Sequence, residues 1–120
     1  MTERPGQVQD AIAAVADMGE GRLRCAACGR EVTRLAQART VRGAHVHDLR
    51  NPAGIDFRVR CFSSAPGARS RGTQTAAHSW FPPARWTVAA CRACDLQLGW
   101  FFHDQDDSFA ALIEARLSAD

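Results

Sequence analysis

Residues 78–102 of this chain read HSWFPPARWTVAACRACDLQLGWFF. The segment contains all three tryptophans of the chain, Trp80, Trp86 and Trp100. Between them lies a C-x-x-C pair formed by Cys91 and Cys94. Aromatic side chains on both sides of a candidate metal-binding turn predict a small domain in which a bound ion fixes an aromatic surface.

A second C-x-x-C pair lies far upstream, where Gly29 directly follows it. Two residues between cysteines let one turn present both sulfur atoms to the same ion, and two such turns complete the tetrahedral shell that zinc prefers. Four thiolates leave no open position, so the spacing predicts a structural Zn²⁺ cofactor. The predicted metal ligands are Cys25, Cys28, Cys91 and Cys94. A thioredoxin-type redox pair and a rubredoxin-like iron site are the alternatives that this spacing leaves open.

The composition indicates a single domain whose cysteines are reduced. The chain has 120 residues, five cysteines and a formal net charge of +2. Its N-terminus is polar, and an odd number of cysteines is unusual for a secreted disulfide scaffold, so we expect a cytoplasmic protein. All 15 basic residues are arginines scattered along the chain, and no apolar stretch is long enough to span a membrane. We therefore expect neither nucleic acid nor a membrane as a partner.

The pattern along the chain predicts a flexible N-terminal lead-in over residues 1–20, with a weak helix over residues 7–18, and a mostly β domain over residues 21–120. The last part of this domain has helical spacing of its apolar residues and is compatible with a short C-terminal helix. The residues with this spacing are Phe109, Leu112, Ile113 and Leu117.

Strands are predicted where apolar and polar residues alternate. The clearest alternation covers residues 55–61, directly after a turn at residues 51–54. Residues 86–90 and 98–103 are predicted as two further strands that flank the second cysteine pair. Residues 63–77 are rich in Ser, Gly, Ala and Thr and are predicted as a loop.

The tryptophans predict an aromatic cage, with packing in a hydrophobic core as the alternative. Trp80 lies in a turn-prone segment, and loops hold binding residues more often than core residues. Trp80 and Trp86 lie at opposite ends of a proline-containing turn, so their rings can converge, and Trp100 follows the metal-binding pair. Such a cage suits a quaternary ammonium or a small neutral ring. No carboxylate lies between Trp80 and Trp86, which favours the neutral ring.

Cys61 is the cysteine that the metal site does not use. It falls on the apolar face of the predicted strand over residues 55–61, as a buried core cysteine would. As a catalytic nucleophile it would need a histidine or a cation placed to lower its pKa, and the sequence shows none visibly placed to do so. We therefore predict no catalytic residue and no enzymatic activity.

Residues 78–102 resemble the thalidomide-binding domain of the cereblon family, also called the CULT domain. Members carry a similar HSWFPGYAWT segment, followed by C-x-x-C and a G-W-x-aromatic ending, which residues 99–102 match. Residues 51–54 match the family's N-P-x-G, and the upstream C-x-x-C pair matches its first cysteine pair. The resemblance covers about residues 23–118.

The resemblance implies a β-tent fold, with two antiparallel sheets meeting at an angle near a structural zinc. It also implies a pocket for cyclic imides such as glutarimide and thalidomide-type compounds, for uridine-like rings, and for peptides ending in a cyclic imide. The three tryptophans would form its walls and Phe102 its floor, while the backbone of His78 and Trp80 would bond the imide. The implied ligand-binding residues are Asn51, Pro52, Phe57, His78, Ser79, Trp80, Trp86, Trp100 and Phe102.

The chain departs from the family pattern at residues 83–85, where Pro-Ala-Arg replaces Gly-Tyr-Ala and places a charge near the mouth of the pocket. A chain of 120 residues leaves no room for cereblon's Lon-like domain or for the helices that recruit a ubiquitin-ligase adaptor. We therefore expect a stand-alone module of the bacterial type, without that adaptor as a partner. The alternatives are an enzyme similar to the zinc-type methionine sulfoxide reductases, which would use Cys61, and a reader of methylated amines.

Overall fold

The computed structural model describes residues 21–119, so the lead-in predicted over residues 1–20 and its helix over residues 7–18 lie outside the described residues. The described chain forms β-strands and two short 3-10 turns, Leu35–Gln37 and Glu114–Arg116. The strands are β1 (Arg22–Cys25), β2 (Glu31–Arg34), β3 (Val46–Arg50), β4 (Asp56–Phe62), β5 (Ala68–Thr75), β6 (Arg85–Cys91), β7 (Gln97–Asp104), β8 (Asp107–Ile113) and β9 (Leu117–Ala119). No helix in this part of the chain has the length and apolar character needed to cross a membrane.

The strands form two antiparallel sheets. The small sheet has the order β2-β1-β9, and the large sheet has the order β3-β4-β8-β7-β6-β5. This confirms the predicted mostly β fold class of two antiparallel sheets. The predicted strands over residues 55–61, 86–90 and 98–103 correspond to β4, β6 and β7.

The predicted C-terminal helix is wrong, because residues 107–113 form strand β8. This strand lies inside the large sheet between β4 and β7, and all five residues from Phe109 to Ile113 are buried. A strand that is covered on both faces reads as a continuous apolar run, and its spacing does not distinguish it from a buried helix. A 3-10 turn and β9 complete the segment.

The loop predicted over residues 63–77 is also wrong in part, since residues 68–75 form β5. Among the described strands, this one pairs with β6 alone and lies at the edge of the large sheet, and most of its side chains are exposed or half-buried. An edge strand with so little buried surface can be built from Ser, Gly, Thr and Arg, which removes the alternation that would have predicted it.

Two hydrophobic clusters lie on opposite faces of the large sheet. Successive residues of β8 alternate between them: Ala110 and Leu112 belong to one cluster, and Phe109, Ala111 and Ile113 to the other. The first cluster includes residues of the small sheet, so it joins the two sheets. The second cluster is partly covered by the loop between β5 and β6, which carries Trp80 and Phe81.

Gly99 lets β7 approach β8 closely. A Cβ atom at this position would lie 2.1 Å from the carbonyl oxygen of Ala111, so no larger residue fits there. The pairing of β6 with β7 shifts in register beside it, between Ala89 and Ala90. This irregularity separates Leu98, which belongs to the cluster facing the small sheet, from Trp100, which belongs to the other.

Candidate metal centre and aromatic pocket

The four predicted metal ligands lie together. The Sγ atoms of Cys25 and Cys94 are 3.7 Å apart, and those of Cys28 and Cys91 are 3.6 Å apart. All four sulfur atoms lie within 4.8 Å of one another. Four sulfurs bound at about 2.3 Å around one tetrahedral zinc ion lie about 3.8 Å apart, so this donor set fits a single ion of that size.

Both cysteine pairs sit in the same kind of turn. The N–H of Gly29 donates to the carbonyl of Cys25 at 2.8 Å, and the N–H of Asp95 donates to the carbonyl of Cys91 at 2.9 Å. Gly29 has a φ of +82° and Asp95 a φ of +67°, so the residue after each pair adopts the left-handed conformation that closes the turn. Aspartate tolerates this conformation better than most residues, and Arg69 pairs with its carboxylate.

The four-cysteine cluster connects the two sheets. Cys25 ends β1 of the small sheet, and Cys91 ends β6 of the large sheet. Burial of Cys91 opposes its ionisation, but the N–H groups of Cys94 and Ala93 and the neighbouring thiols lower its pKa to about 7. The thiolate is the form of cysteine that binds metal. An ion held here would therefore link the small sheet to the sheet that carries the tryptophans.

A pocket of about 380 Å³ opens on the other face of the large sheet. Most of its lining is aromatic or aliphatic, and none of the described residues that line it is acidic. The lining residues are Asn51, Pro52, Phe57, His78, Trp80, Trp86, Val88, Gln97, Trp100 and Phe102. Eight of the nine residues implied by the sequence resemblance are therefore brought together here, and Ser79 is not among them.

Strands β6 and β7 build one wall of the pocket. Trp86 lies opposite Phe102, and Val88 lies opposite Trp100, so these four side chains share one face of the sheet. Trp80 packs against this wall, with its ring centroid 4.7 Å from that of Trp100 and the two planes at 85°. Two perpendicular indole planes form a corner, and a flat or puckered ring placed in that corner contacts both indoles.

Two of the three indoles are held in place by hydrogen bonds to the main chain. The Nε1–H of Trp80 donates to the carbonyl of Arg50 at 2.9 Å, and that of Trp86 donates to the carbonyl of Ala77 at 2.8 Å. The indole of Trp100 is 8% exposed and forms no hydrogen bond to any described residue. Trp100, which lines the pocket, therefore has an indole N–H that the described chain leaves unbonded.

The loop before Trp86 also leaves main-chain groups available. Neither His78 nor the main chain of Trp80 forms a hydrogen bond to a residue of the described range 21–119. Ser79, by contrast, uses its N–H to bond the carbonyl of Ala76 at 3.3 Å and its hydroxyl to accept from the N–H of Phe81 at 3.2 Å. Ser79 thus shapes the loop, while its two neighbours line the pocket.

Phe81 anchors this loop on the sheet. It is buried and lies at ring-centroid distances of 5.0 Å from Phe102 and 5.3 Å from Phe109. At the facing rim, Asn51 uses its side-chain oxygen to accept from the N–H of Ile55 at 2.9 Å, which closes the turn predicted at residues 51–54. Both sides of the pocket mouth are therefore fixed by local contacts.

Two lining residues, Val88 and Gln97, are absent from the sequence prediction. Val88 could have been found, because it lies two residues after Trp86 on the same strand and therefore on the same face. Gln97 begins β7 and is separated from Gly99 and Trp100 by the irregular pairing of β6 with β7, so no simple spacing indicates which face it occupies.

Cys61 lies fully buried in the hydrophobic cluster beneath the pocket. Burial raises the pKa of its thiol to about 11, against the opposing attraction of the Arg39 guanidinium. A thiol with this pKa is protonated at neutral pH and is a poor nucleophile. This environment disfavours the alternative of a reactive Cys61.

We predict that Cys61 of the folded, metal-loaded protein does not react with a thiol reagent at pH 8, because its thiol is both protonated and inaccessible. Burial raises the pKa of the Cys61 thiol in the folded protein above its value in the unfolded chain. The stability that the buried, protonated thiol contributes is therefore fully present below about pH 8.5 and is lost as the pH rises towards 11. Mass spectrometry after timed labelling measures the reaction of Cys61 with the thiol reagent, with urea-unfolded protein as the control. Rapid labelling of Cys61 in the native state would contradict it.

Comparison with known proteins gives a partial match. No protein-family model matches the chain. A segment of 52 residues, 43% of this chain, is 36% identical to "Protein cereblon" of Danio rerio, and a match of the same identity and length is found to "Protein cereblon" of Gallus gallus. The matched segment spans 12% of the length of each relative. This similarity and the four-cysteine cluster fit a cereblon-like, CULT-like domain.

Proposed function

We propose that this chain is a small-molecule binding module for cyclic imides, such as glutarimide and thalidomide-type compounds, and for uracil-like rings including uridine. The single observation that carries the proposal is the pocket itself, in which three indoles enclose a cavity whose rim has unbonded main-chain groups at His78 and Trp80. Peptides that end in a cyclic imide belong to the same ligand class.

The chemistry of the ligand edge matches these groups. Glutarimide and uracil each present an N–H between two carbonyls, so they need one acceptor flanked by donors. The main chain of His78 and Trp80 supplies both kinds of group, and the Trp100 indole supplies a further donor. Burying an imide edge without such partners costs a few kcal/mol, so these contacts would select imides over rings that lack the N–H.

We further propose that the bound metal is zinc and that its role is structural. Four thiolates with tetrahedral spacing are the donor set of structural zinc sites, and they leave no position for a water molecule or a substrate. Bound zinc would hold the end of β6 against the small sheet and thereby keep the wall that carries Trp86 and Trp100 in place. Thiolate ligands also suit a reducing compartment, so we propose a cytoplasmic location.

A reader of methylated amines is the second candidate, because indole faces attract quaternary ammonium groups. The lining residues disfavour it, since none of them carries the carboxylate that commonly supports such a cage. The available main-chain groups at His78 and Trp80 would also gain nothing from a trimethylammonium ligand, which neither donates nor accepts hydrogen bonds.

Calorimetric titration of the zinc-loaded protein distinguishes these candidates. We expect glutarimide and uridine to bind, and N-methylglutarimide to bind at least tenfold more weakly, because methylation removes the imide N–H and adds bulk at the bonded edge. Tetramethylammonium should not compete with glutarimide. Tighter binding of tetramethylammonium, or equal binding of the two glutarimides, would contradict the proposal.

A further inference from the structure

An arginine side chain bonds the equivalent main-chain carbonyl in each of the two cysteine turns. Arg24 donates from Nη1 to the carbonyl of Gly29 at 3.1 Å, and Arg71 donates from Nη1 to the carbonyl of Asp95 at 2.7 Å. Gly29 and Asp95 are equivalent positions, since each directly follows the second cysteine of its pair. Two arginines on different strands, β1 and β5, therefore make the same contact.

The peptide unit that each arginine contacts also donates to a predicted metal ligand. These peptide units join residues 29 and 30 in the first turn and residues 95 and 96 in the second. Their N–H groups hydrogen-bond to the sulfur atoms of Cys28 and Cys94, respectively. The carbonyl and the N–H of a trans peptide unit point in opposite directions, so each unit links a guanidinium on one side to a sulfur atom on the other.

A cation bonded to the carbonyl strengthens the N–H donor at the other end of the same peptide unit. Hydrogen bonds with a charged donor are stronger than neutral ones, and linked hydrogen bonds polarise one another. A stronger N–H···S bond withdraws electron density from the thiolate. It thereby offsets part of the excess negative charge that four thiolates place around one divalent ion.

The two arginines act on the exposed half of the four-cysteine cluster. Cys28 and Cys94 are exposed, whereas Cys25 and Cys91 are buried. A competing chelator reaches the exposed sulfur atoms first. Contacts that hold these two thiolates on a bound ion therefore affect how readily the ion is lost.

We propose that Arg24 and Arg71 are positioning residues of the metal centre, which retain a bound zinc ion by polarising the peptide units that donate to Cys28 and Cys94. This inference rests on the proposed structural zinc. Each arginine acts through one peptide unit, so neither has to contact the ion or a sulfur atom. Groups that bond to metal ligands in this way adjust both the affinity for the metal and the electron density on the ligands.

The test replaces each arginine by methionine, which keeps an aliphatic stem and removes the charged donor. We expect Arg24→Met and Arg71→Met each to weaken zinc binding by about tenfold in competition with a zinc-binding dye, the effect typical of losing a group that supports a metal ligand. In the cobalt-substituted proteins, the sulfur-to-cobalt charge-transfer band should move to longer wavelength, because a thiolate with a weaker hydrogen bond gives up an electron more easily. A role in folding stability alone would not move this band.

Two control variants separate the carbonyl contact from other effects of the charges. Arg69→Met removes the other arginine that pairs with the carboxylate of Asp95. Arg92→Met removes a charge inside the second cysteine turn, where its side chain donates to the carbonyl of Pro66 at 2.8 Å. Neither side chain bonds the main-chain carbonyl of Asp95. Both variants should therefore bind zinc within about twofold of wild type, as expected for exposed charges, and leave the cobalt band in place.

Arg24→Gln and Arg71→Gln, which replace the charge by a neutral amide, carry the same expectations should the methionine variants fail to fold. A cobalt band at the wild-type position in the Arg24 and Arg71 variants, or an equal shift in the controls, would overturn the inference and leave the proposed structural zinc intact. A wild-type protein that binds neither zinc nor cobalt would overturn the proposed zinc site together with this inference.

Discussion

Removal of the metal should unfold the domain. A structural zinc ion contributes on the order of 10 kcal/mol to folding, and a domain of this size has a total stability of about 5–15 kcal/mol. The four sulfur atoms connect the small sheet to the large one, so we expect the packing between the sheets to depend on a bound ion. Circular dichroism with and without a chelator should show loss of the cooperative thermal transition, and its return when zinc is restored.

Substitution of single cysteines distinguishes unfolding caused by loss of the metal from destabilisation caused by loss of any buried thiol. Cys91→Ala removes a metal ligand and should abolish zinc retention, measured by elemental analysis, together with the folding transition. Cys61→Ala removes an equally buried thiol that lies outside the metal centre. It should cost only about 1–2 kcal/mol and leave one zinc per chain. A Cys91→Ala protein that melts cooperatively without metal would contradict the structural role.

Replacement of Trp80 by alanine should weaken ligand binding strongly at a small cost in stability. Trp80 lies half-buried in a loop, where its indole forms a wall of the pocket and bonds the carbonyl of Arg50. A central aromatic contact of this kind is worth about 2 kcal/mol or more, so Trp80→Ala should weaken glutarimide binding by about 30-fold or more in calorimetry. Trp80→Phe keeps an aromatic face and should lose less affinity for glutarimide than Trp80→Ala.

Trp100 should behave differently, because it is a core residue as well as a wall of the pocket. It is 8% exposed and packs against Phe57 at a centroid distance of 5.2 Å. Trp100→Ala should therefore cost about 3–5 kcal/mol of stability, which makes it a poor probe of binding alone. Glutarimide binding by folded Trp80→Ala at the wild-type affinity would contradict the role of the cage.

The cysteine spacing and the alternation along β4 could be interpreted from the sequence because each depends on local geometry. Two residues between cysteines fix one turn, and a half-buried strand shows a period of two. Strand β8 could not be recognised in this way, since it is buried on both faces and its FAALI run has no strand period. Strand β5 is at an edge and has too few buried residues to show a pattern.

The pocket residues were predicted largely through the family resemblance, with the aromatic content of residues 78–102 as independent support. Sequence spacing alone could not show that residues 51–57 lie beside Trp80, because that contact depends on the position of β3 and β4 in the large sheet. It could not locate Gln97 either, because a register shift between β6 and β7 sets its face. The resemblance also implies a ligand contact for Ser79, whose hydroxyl accepts a hydrogen bond from Phe81 within the loop.

The most direct test of the imide-binding pocket is an NMR titration of the ¹⁵N-labelled, zinc-loaded protein with glutarimide. The main-chain N–H of Trp80 and the indole N–H of Trp100 have no partner among the described residues, so we predict that their resonances shift most and reach saturation together. N-methylglutarimide at the same concentration should shift them less, because it binds more weakly. Unshifted resonances of both groups at saturating glutarimide, or shifts confined to another surface, would contradict the central claim.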